Sequence, residues 1–139
     1  MTVVARQPTA GITTGPKTLE HMYARLEKCW AGNRHVPEET RSQINIAVGE
    51  IVANIVEHAA KNGPVLVQMS VEVHPDEVHV IFTDDGAPCP TYPETVNMPD
   101  ELAERGRGIP MMQSVLRKLT YHRSATQNHW RLISRYFGR

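Results

Sequence analysis

Three polar side chains recur at equal intervals: Glu50, Asn54 and His58 stand at i, i+4 and i+8. On a helix of 3.6 residues per turn each step rotates by only about 40°, so the three climb one edge together. A carboxylate accepts a proton, and a carboxamide oxygen one turn later is a neutral ligand for a hard cation. Further along, Asp84-Asp85-Gly86 puts a carboxylate at the end of a β-branched run, beside a residue that lets the backbone turn sharply. An Asp so placed accepts a hydrogen bond from an exocyclic amine such as that of adenine. Gly106-x-Gly108 then opens an apolar helical segment. Glycines there let the backbone approach a phosphate, and a helix N-terminus attracts negative charge. Arg105 and Arg107 bracket these glycines and are placed to clamp phosphate oxygens. Each feature alone has a plainer reading as well: an amphipathic helix, a strand-ending turn, a solvated basic turn.

The elements that must position these groups follow from periodicity. Ile44, Val48, Ile51, Val52, Ile55 and Ala59 form an apolar helical stripe beside the polar edge. That predicts one long helix from Pro37 to about Ala60, with Glu38 and Glu39 at its positive end and Asn62-Gly63-Pro64 stopping it. Before it, Pro16 suits a first helical turn, and Leu19, Met22, Tyr23, Leu26 and Trp30 follow at helical spacing up to Gly32. Residues 1–13 read as a loose tail or an edge strand. Val65–Val73 and Val78–Phe82 flank His74-Pro75-Asp76-Glu77, the signature of an antiparallel hairpin. A proline-rich stretch from Ala87 reads as a long functional loop. A short helix follows, with Met111, Met112, Val115, Leu116 and Leu119 inward. Thr120–Arg123 and Trp130–Tyr136 supply two closing strands around a 124–129 turn. The order is that of an α+β fold with helices on one face of a mostly antiparallel sheet.

With 139 residues the chain is one domain long enough to bury a core, and its 40% hydrophobic and 22% charged residues are those of a soluble globular protein. No apolar run reaches membrane length and no signal-like segment opens the chain, so the expected compartment is the cytoplasm, without membrane contact. Cys29 and Cys89 are isolated, which fits a reducing compartment. His74 and His79 flank the hairpin turn, but no third ligand stands at a recognisable metal spacing, so they read as surface histidines. Net charge is zero but segregated: Glu72–Glu104 holds nine acidic and no basic residues, and Arg105–Arg139 eight basic and no acidic ones. Such blocks suit a nucleic acid, a polyanionic ligand or a protein partner, and do not choose among them.

Glu50-xxx-Asn54-xxx-His58, Asp84-x-Gly86 and Gly106-x-Gly108, in this order around a lid-like loop, resemble the N box and two glycine boxes of the GHKL (Bergerat-fold) ATP-binding superfamily. AVGEIVANIVEHA and DDGAPCP resemble its anti-sigma-factor serine/threonine kinase branch, the RsbW/SpoIIAB type. Leu119-Thr120-Tyr121 and Asn128-His129-Trp130-Arg131-Leu132 resemble that branch's terminal hairpin. The likeness spans roughly residues 16 to 137. It implies a two-layer sandwich with a mostly antiparallel mixed sheet, an ATP lid at 87–105, and ATP or ADP with Mg²⁺ as cofactors. It implies Glu50 as general base and Asn54 as Mg²⁺ ligand, with His58 on the same nucleotide-binding edge. Asp84 would read the adenine amine, Gly86 would give room to the base, and Gly106 and Gly108 would hug the phosphates. Arg105 would reach the terminal phosphate. The implied activity is transfer of phosphate from ATP to a STAS-domain anti-anti-sigma protein, with a sigma factor as second partner and a homodimer as assembly, and no direct nucleic-acid contact. A two-component histidine kinase is less expected, since no extra helix pair carries a phosphoacceptor histidine. Two departures stand out. Pro88-Cys89-Pro90 is one residue shorter than the common form, and Pro110 replaces a frequent glycine. Both favour an alternative, a nucleotide-binding anti-sigma or adaptor module with little kinase activity.

Overall fold

The computed structural model describes residues 5–6, 10–89 and 108–138. The first strands, β1 (Ala5–Arg6) and β2 (Ala10–Thr13), both pair antiparallel with β3 (Leu66–Val73). Of the two expectations for residues 1–13, the edge strand is the one seen, in two pieces. Helix α1 covers Thr18–Gly32 and α2 covers Glu38–Asn54, continued by a π-helical turn over Ile55–Ala59. Strand β4 is Val78–Asp84, α3 is Gly108–Val115, and β5 (Leu116–Arg123) and β6 (Asn128–Ser134) close the sheet. Strand order is β1-β3-β4-β6-β5, with β2 also on β3. Every described pairing is antiparallel, so the mixed sheet expected above is not seen among the described strands. The β3–β4 and β5–β6 pairs are hairpins, whereas β1 and β2 reach β3, and β4 reaches β6, across longer connections.

Alternation sets the faces. Val67, Met69, Val71 and Val73 on β3, and Val78, Val80, Phe82 and Asp84 on β4, are buried, while the residues between them are half-buried or exposed. The helices cover that inner face. All six residues of the α2 stripe, Ile44 through Ala59, are buried there, in one cluster with Met22, Leu26, Trp130 and Leu132. In α1 the buried set is Thr18, Met22, Leu26, Cys29 and Trp30, and Leu19 is exposed. The helix begins only at Thr18, whose hydroxyl bonds back to the Gly15 carbonyl, so Pro16 precedes the first turn instead of sitting in it.

Two more boundaries moved. Leu116 and Leu119 do point inward, but from a strand: α3 passes directly into β5, and a bulge between Leu116 and Lys118 sets their facing. Strand β6 starts at Asn128, two residues before the expected Trp130, because the turn tightens onto a Ser124 N–H to Gln127 carbonyl bond of 2.9 Å. Among the described residues, no helix is long and apolar enough to cross a membrane.

Candidate nucleotide site

The long helix does not stay α-helical to its end. After Asn54 the chain widens into the π-turn, where the Ala60 N–H reaches back five residues to the Ile55 carbonyl at 2.9 Å. Such turns inside helices concentrate at functional sites. Here the widening frees the Ala59 carbonyl, which accepts the Ala87 N–H at 3.0 Å. That bond ties the end of the helix to the loop after β4. It also breaks the even spacing of the polar edge, so His58 is not one α-turn beyond Asn54.

Gly86 explains how close the two segments come. A Cβ there would stand 2.4 Å from the Ala59 carbonyl oxygen and 2.8 Å from its Cβ, so no side chain fits. The requirement for glycine comes from this backbone approach, where room for a base was expected.

Asp84 is 1% exposed at the end of β4. Its Oδ1 accepts from the Gly86 N–H at 2.9 Å and from Asn128 Nδ2 at 2.8 Å. Its Oδ2 is buried and has no hydrogen-bond partner. A buried carboxylate oxygen without a donor is costly and marks a place where a ligand donor fits. Burial pushes the Asp84 carboxyl above its ordinary pKa; the bonds from Asn128 and Gly86 and the charge of Arg123 oppose the rise, and Asp85 adds to it. The neighbouring Asp85 does a structural job: its Oδ1 accepts from the Leu66 N–H at 2.9 Å and fastens the start of β3.

Asn128 was not singled out from the sequence as a site residue, yet it organises this corner. It lies opposite Asp84 in the β4–β6 register and is 1% exposed. Its amide donates to Asp84 and, at 2.8 Å, to the Ala87 carbonyl. Its oxygen accepts from Tyr121 Oη at 2.5 Å and Arg123 Nη1 at 3.2 Å. Arg123 Nη1 also donates to the Gly86 carbonyl at 2.6 Å, and the Cys89 N–H donates to Tyr121 Oη at 3.0 Å. The β5–β6 hairpin thus grips the aspartate and the start of the loop after β4. The only sequence signal was register: once Val78–Asp84 pairs with the last strand, a polar residue must face Asp84.

Asn54, His58, Asp84, Ala87, Cys89 and Asn128 line one narrow cleft, floored by Ile55, Ala59 and Trp130. Its free space is ≈ 10 Å³, room for roughly one water molecule. The fold brings Asn54 and His58, two of the three evenly spaced residues, together with Asp84. Glu50 does not line this cleft; it is half-buried one turn earlier, and its negative charge faces the Tyr23 hydroxyl, whose pKa is raised by burial first and by Glu50 second. Tyr23 Oη donates to the Asn45 carbonyl at 3.1 Å across Gly49, where a Cβ would stand 2.6 Å from that oxygen. Neither Glu50 nor Asn54 spends its side chain on a hydrogen bond among the described residues. His58 Nε2 lies 3.9 Å from the exposed Glu57 carboxylate, a weak contact. Gly108 begins α3, at the foot of the basic block. Residues 90–107, including Arg105, Gly106, Arg107 and most of the ATP lid expected at 87–105, lie outside the described residues.

Two features of the cleft match the nucleotide chemistry expected from the sequence, an orphaned acceptor for an amine and an uncommitted carboxamide for a cation; the Gly108 start of α3 is not part of its lining. Residues 12–134 match the family model described as Histidine kinase-like ATPase domain. No curated protein matches the chain. Among solved structures, it is similar to the histidine kinase domain from the Erythrobacter litoralis EL346 blue-light activated histidine kinase. The TM-score is 0.56 at 22% identity, over 84% of this chain and 58% of that one, a likeness of fold. With the family model covering nearly every described element, the chain belongs to the histidine kinase-like ATPase domain family.

Proposed function

We propose that the chain is a cytoplasmic, ATP-dependent serine/threonine protein kinase and anti-sigma factor. Its substrate is a Ser or Thr on a STAS-type anti-anti-sigma antagonist, and a sigma factor is its second partner in a switch that regulates transcription. The observation that carries the nucleotide part is the unpartnered Oδ2 of Asp84, buried beside Asn54 in one cleft. In this reading Asp84 accepts the adenine amine and the Asn54 oxygen holds Mg²⁺, which supplies charge neutralisation for the phosphates. Glu50 accepts the proton of the attacking hydroxyl. Phosphoryl transfer depends on positioning and charge more than on covalent help, so this small set is sufficient. The basic block after Glu104 draws in the triphosphate. The kinase branch, the homodimer and both partners rest on the sequence resemblance.

A second reading is a nucleotide-holding anti-sigma or adaptor module without useful transfer. The short Pro88-Cys89-Pro90 segment and Pro110 favour it. One experiment separates the two. Wild type and Glu50→Ala are incubated with γ-labelled ATP and a matched antagonist. Label on the antagonist with wild type alone, while both bind ATP, is the expected result; full transfer by Glu50→Ala removes Glu50 as the base. Unlabelled antagonist with wild type selects the adaptor.

A further inference from the structure

At the opposite end of the β3–β4 hairpin from Asp84 lies a second cluster that the nucleotide chemistry does not use. Glu72 and His79 are directly opposed across the two strands, and His74 follows Glu72 by two residues and so shares its face. A carboxylate oxygen of Glu72 and one ring nitrogen each from His74 and His79 lie within 4.8 Å of one another. The three side chains are only 16%, 19% and 14% exposed. An equilateral triangle with that edge has its centre about 2.8 Å from each corner, so closing to the ~2.1 Å of a zinc–nitrogen bond takes small side-chain rotations.

One further observation points to a ligand. His74 Nε2 is buried without a hydrogen-bond partner, and Glu72 Oε1, at 3.7 Å, is too far to serve as one. The His79 ring, in contrast, is held on both sides. Arg131 Nη1 stands 2.8 Å from Nδ1, and a guanidinium only donates, so the ring proton sits on Nε2 and is given to Glu77 Oε1 at 3.0 Å. A metal taken up at Nδ1 displaces Arg131, and the Nε2–H bond to Glu77 stays to orient the imidazole.

We infer that Glu72, His74 and His79 form a site for a borderline divalent metal of the Zn²⁺ type. Two imidazoles and one carboxylate are a donor set that such ions favour, and three protein ligands leave a fourth position for water. The site is structural. It clasps the hairpin turn where His35 Nε2 meets the His74 carbonyl at 3.1 Å and the Phe137 N–H meets the Asp76 carbonyl at 2.9 Å. It lies five residues along β4 from Asp84, about 16 Å at 3.3 Å per residue, so it works independently of nucleotide. The histidine spacing alone concealed it, because the carboxylate arrives through strand pairing.

The test is a Zn²⁺ titration of the whole chain, after chelator treatment and without nucleotide, by calorimetry. Wild type is expected to bind one equivalent, at least tenfold more tightly than His74→Ala or Glu72→Gln, and to raise its melting temperature. With Co²⁺ as the probe, the visible ligand-field absorption of a four-coordinate ion is expected in wild type and lost in both variants. Melting in chelator checks that the variants fold; should His74→Ala fail, the isosteric Glu72→Gln still decides. Equal Zn²⁺ affinity in wild type and a folded variant, or no binding by wild type, overturns the site.

Discussion

Replacing Asp84 with asparagine separates what the residue does for the fold from what it does for the ligand. The two carboxylate oxygens have different partners: Oδ1 accepts from Gly86 and Asn128, and Oδ2 has none. An asparagine keeps its oxygen toward Gly86 and Asn128 and turns its NH₂ to where Oδ2 was. An adenine amine then meets a donor instead of an acceptor. Loss of a hydrogen bond to a charged group costs about 1.5–3 kcal/mol, roughly a ten- to 150-fold weaker Kd for ATP. The carbonyl of guanine at the same ring position is expected to gain from the new donor, so preference for ATP over GTP collapses. Stability moves the other way. The folded-state pKa of Asp84 is raised by burial, so the ionised group subtracts from stability above that pKa and the penalty fades as pH falls through it. A neutral carboxamide removes the penalty, and the variant melts higher than wild type at pH 7, by a margin that shrinks in acid. Calorimetric titrations with ATP and GTP, beside melts at pH 7 and in acid, give both readouts. An unchanged Kd with retained ATP preference would refute the placement of the base against Asp84, and a lower melting temperature at pH 7 would refute the account of its burial.

Three further outcomes follow. Because Asp84 takes up its proton at higher pH than an ordinary aspartate, ATP affinity of wild type falls on acidification sooner than an unperturbed carboxyl would dictate, as a pH series of titrations will show. Gly86→Ala drives a Cβ into the Ala59 carbonyl and is expected to cost about 1–3 kcal/mol or more in denaturant unfolding, with nucleotide binding weakened in parallel. The buried Cys29 thiol is pushed up to about 11, so at pH 8 roughly one molecule in a thousand carries its thiolate; brief alkylation followed by peptide mass mapping should label the half-buried Cys89 and spare Cys29.

Periodic segments were legible before any coordinates. The stripe from Ile44 to Ala59 and the hairpin around His74–Glu77 emerged where the 3.6 and 2.0 periods put them, since burial of one face is what those periods encode. What stayed hidden depends on pairing and on backbone detail. Asn128 fell within an expected turn, and only the register against β4 sets it on Asp84. The π-turn changes no residue pattern, because Ile55 and Ala59 are buried in either helix type. The need for glycine at position 86 was foreseen, but its cause is the Ala59 carbonyl. Glu72 became a neighbour of His79 only through cross-strand opposition, which linear spacing does not carry.

The place of β6 has a consequence for how the protein comes into being. Strand β6, later in the chain than the other described strands, is inserted between β4 and β5, in the middle of the sheet and not at its rim. A nascent chain that has emerged only as far as Arg123 has a bare β4 flank, open to misdirected strand addition, and an Asp84 that no carboxamide yet holds. Such a chain lacks the bonds by which Asn128 holds Asp84 and the loop after β4. This corner is assembled only once synthesis has passed Asn128.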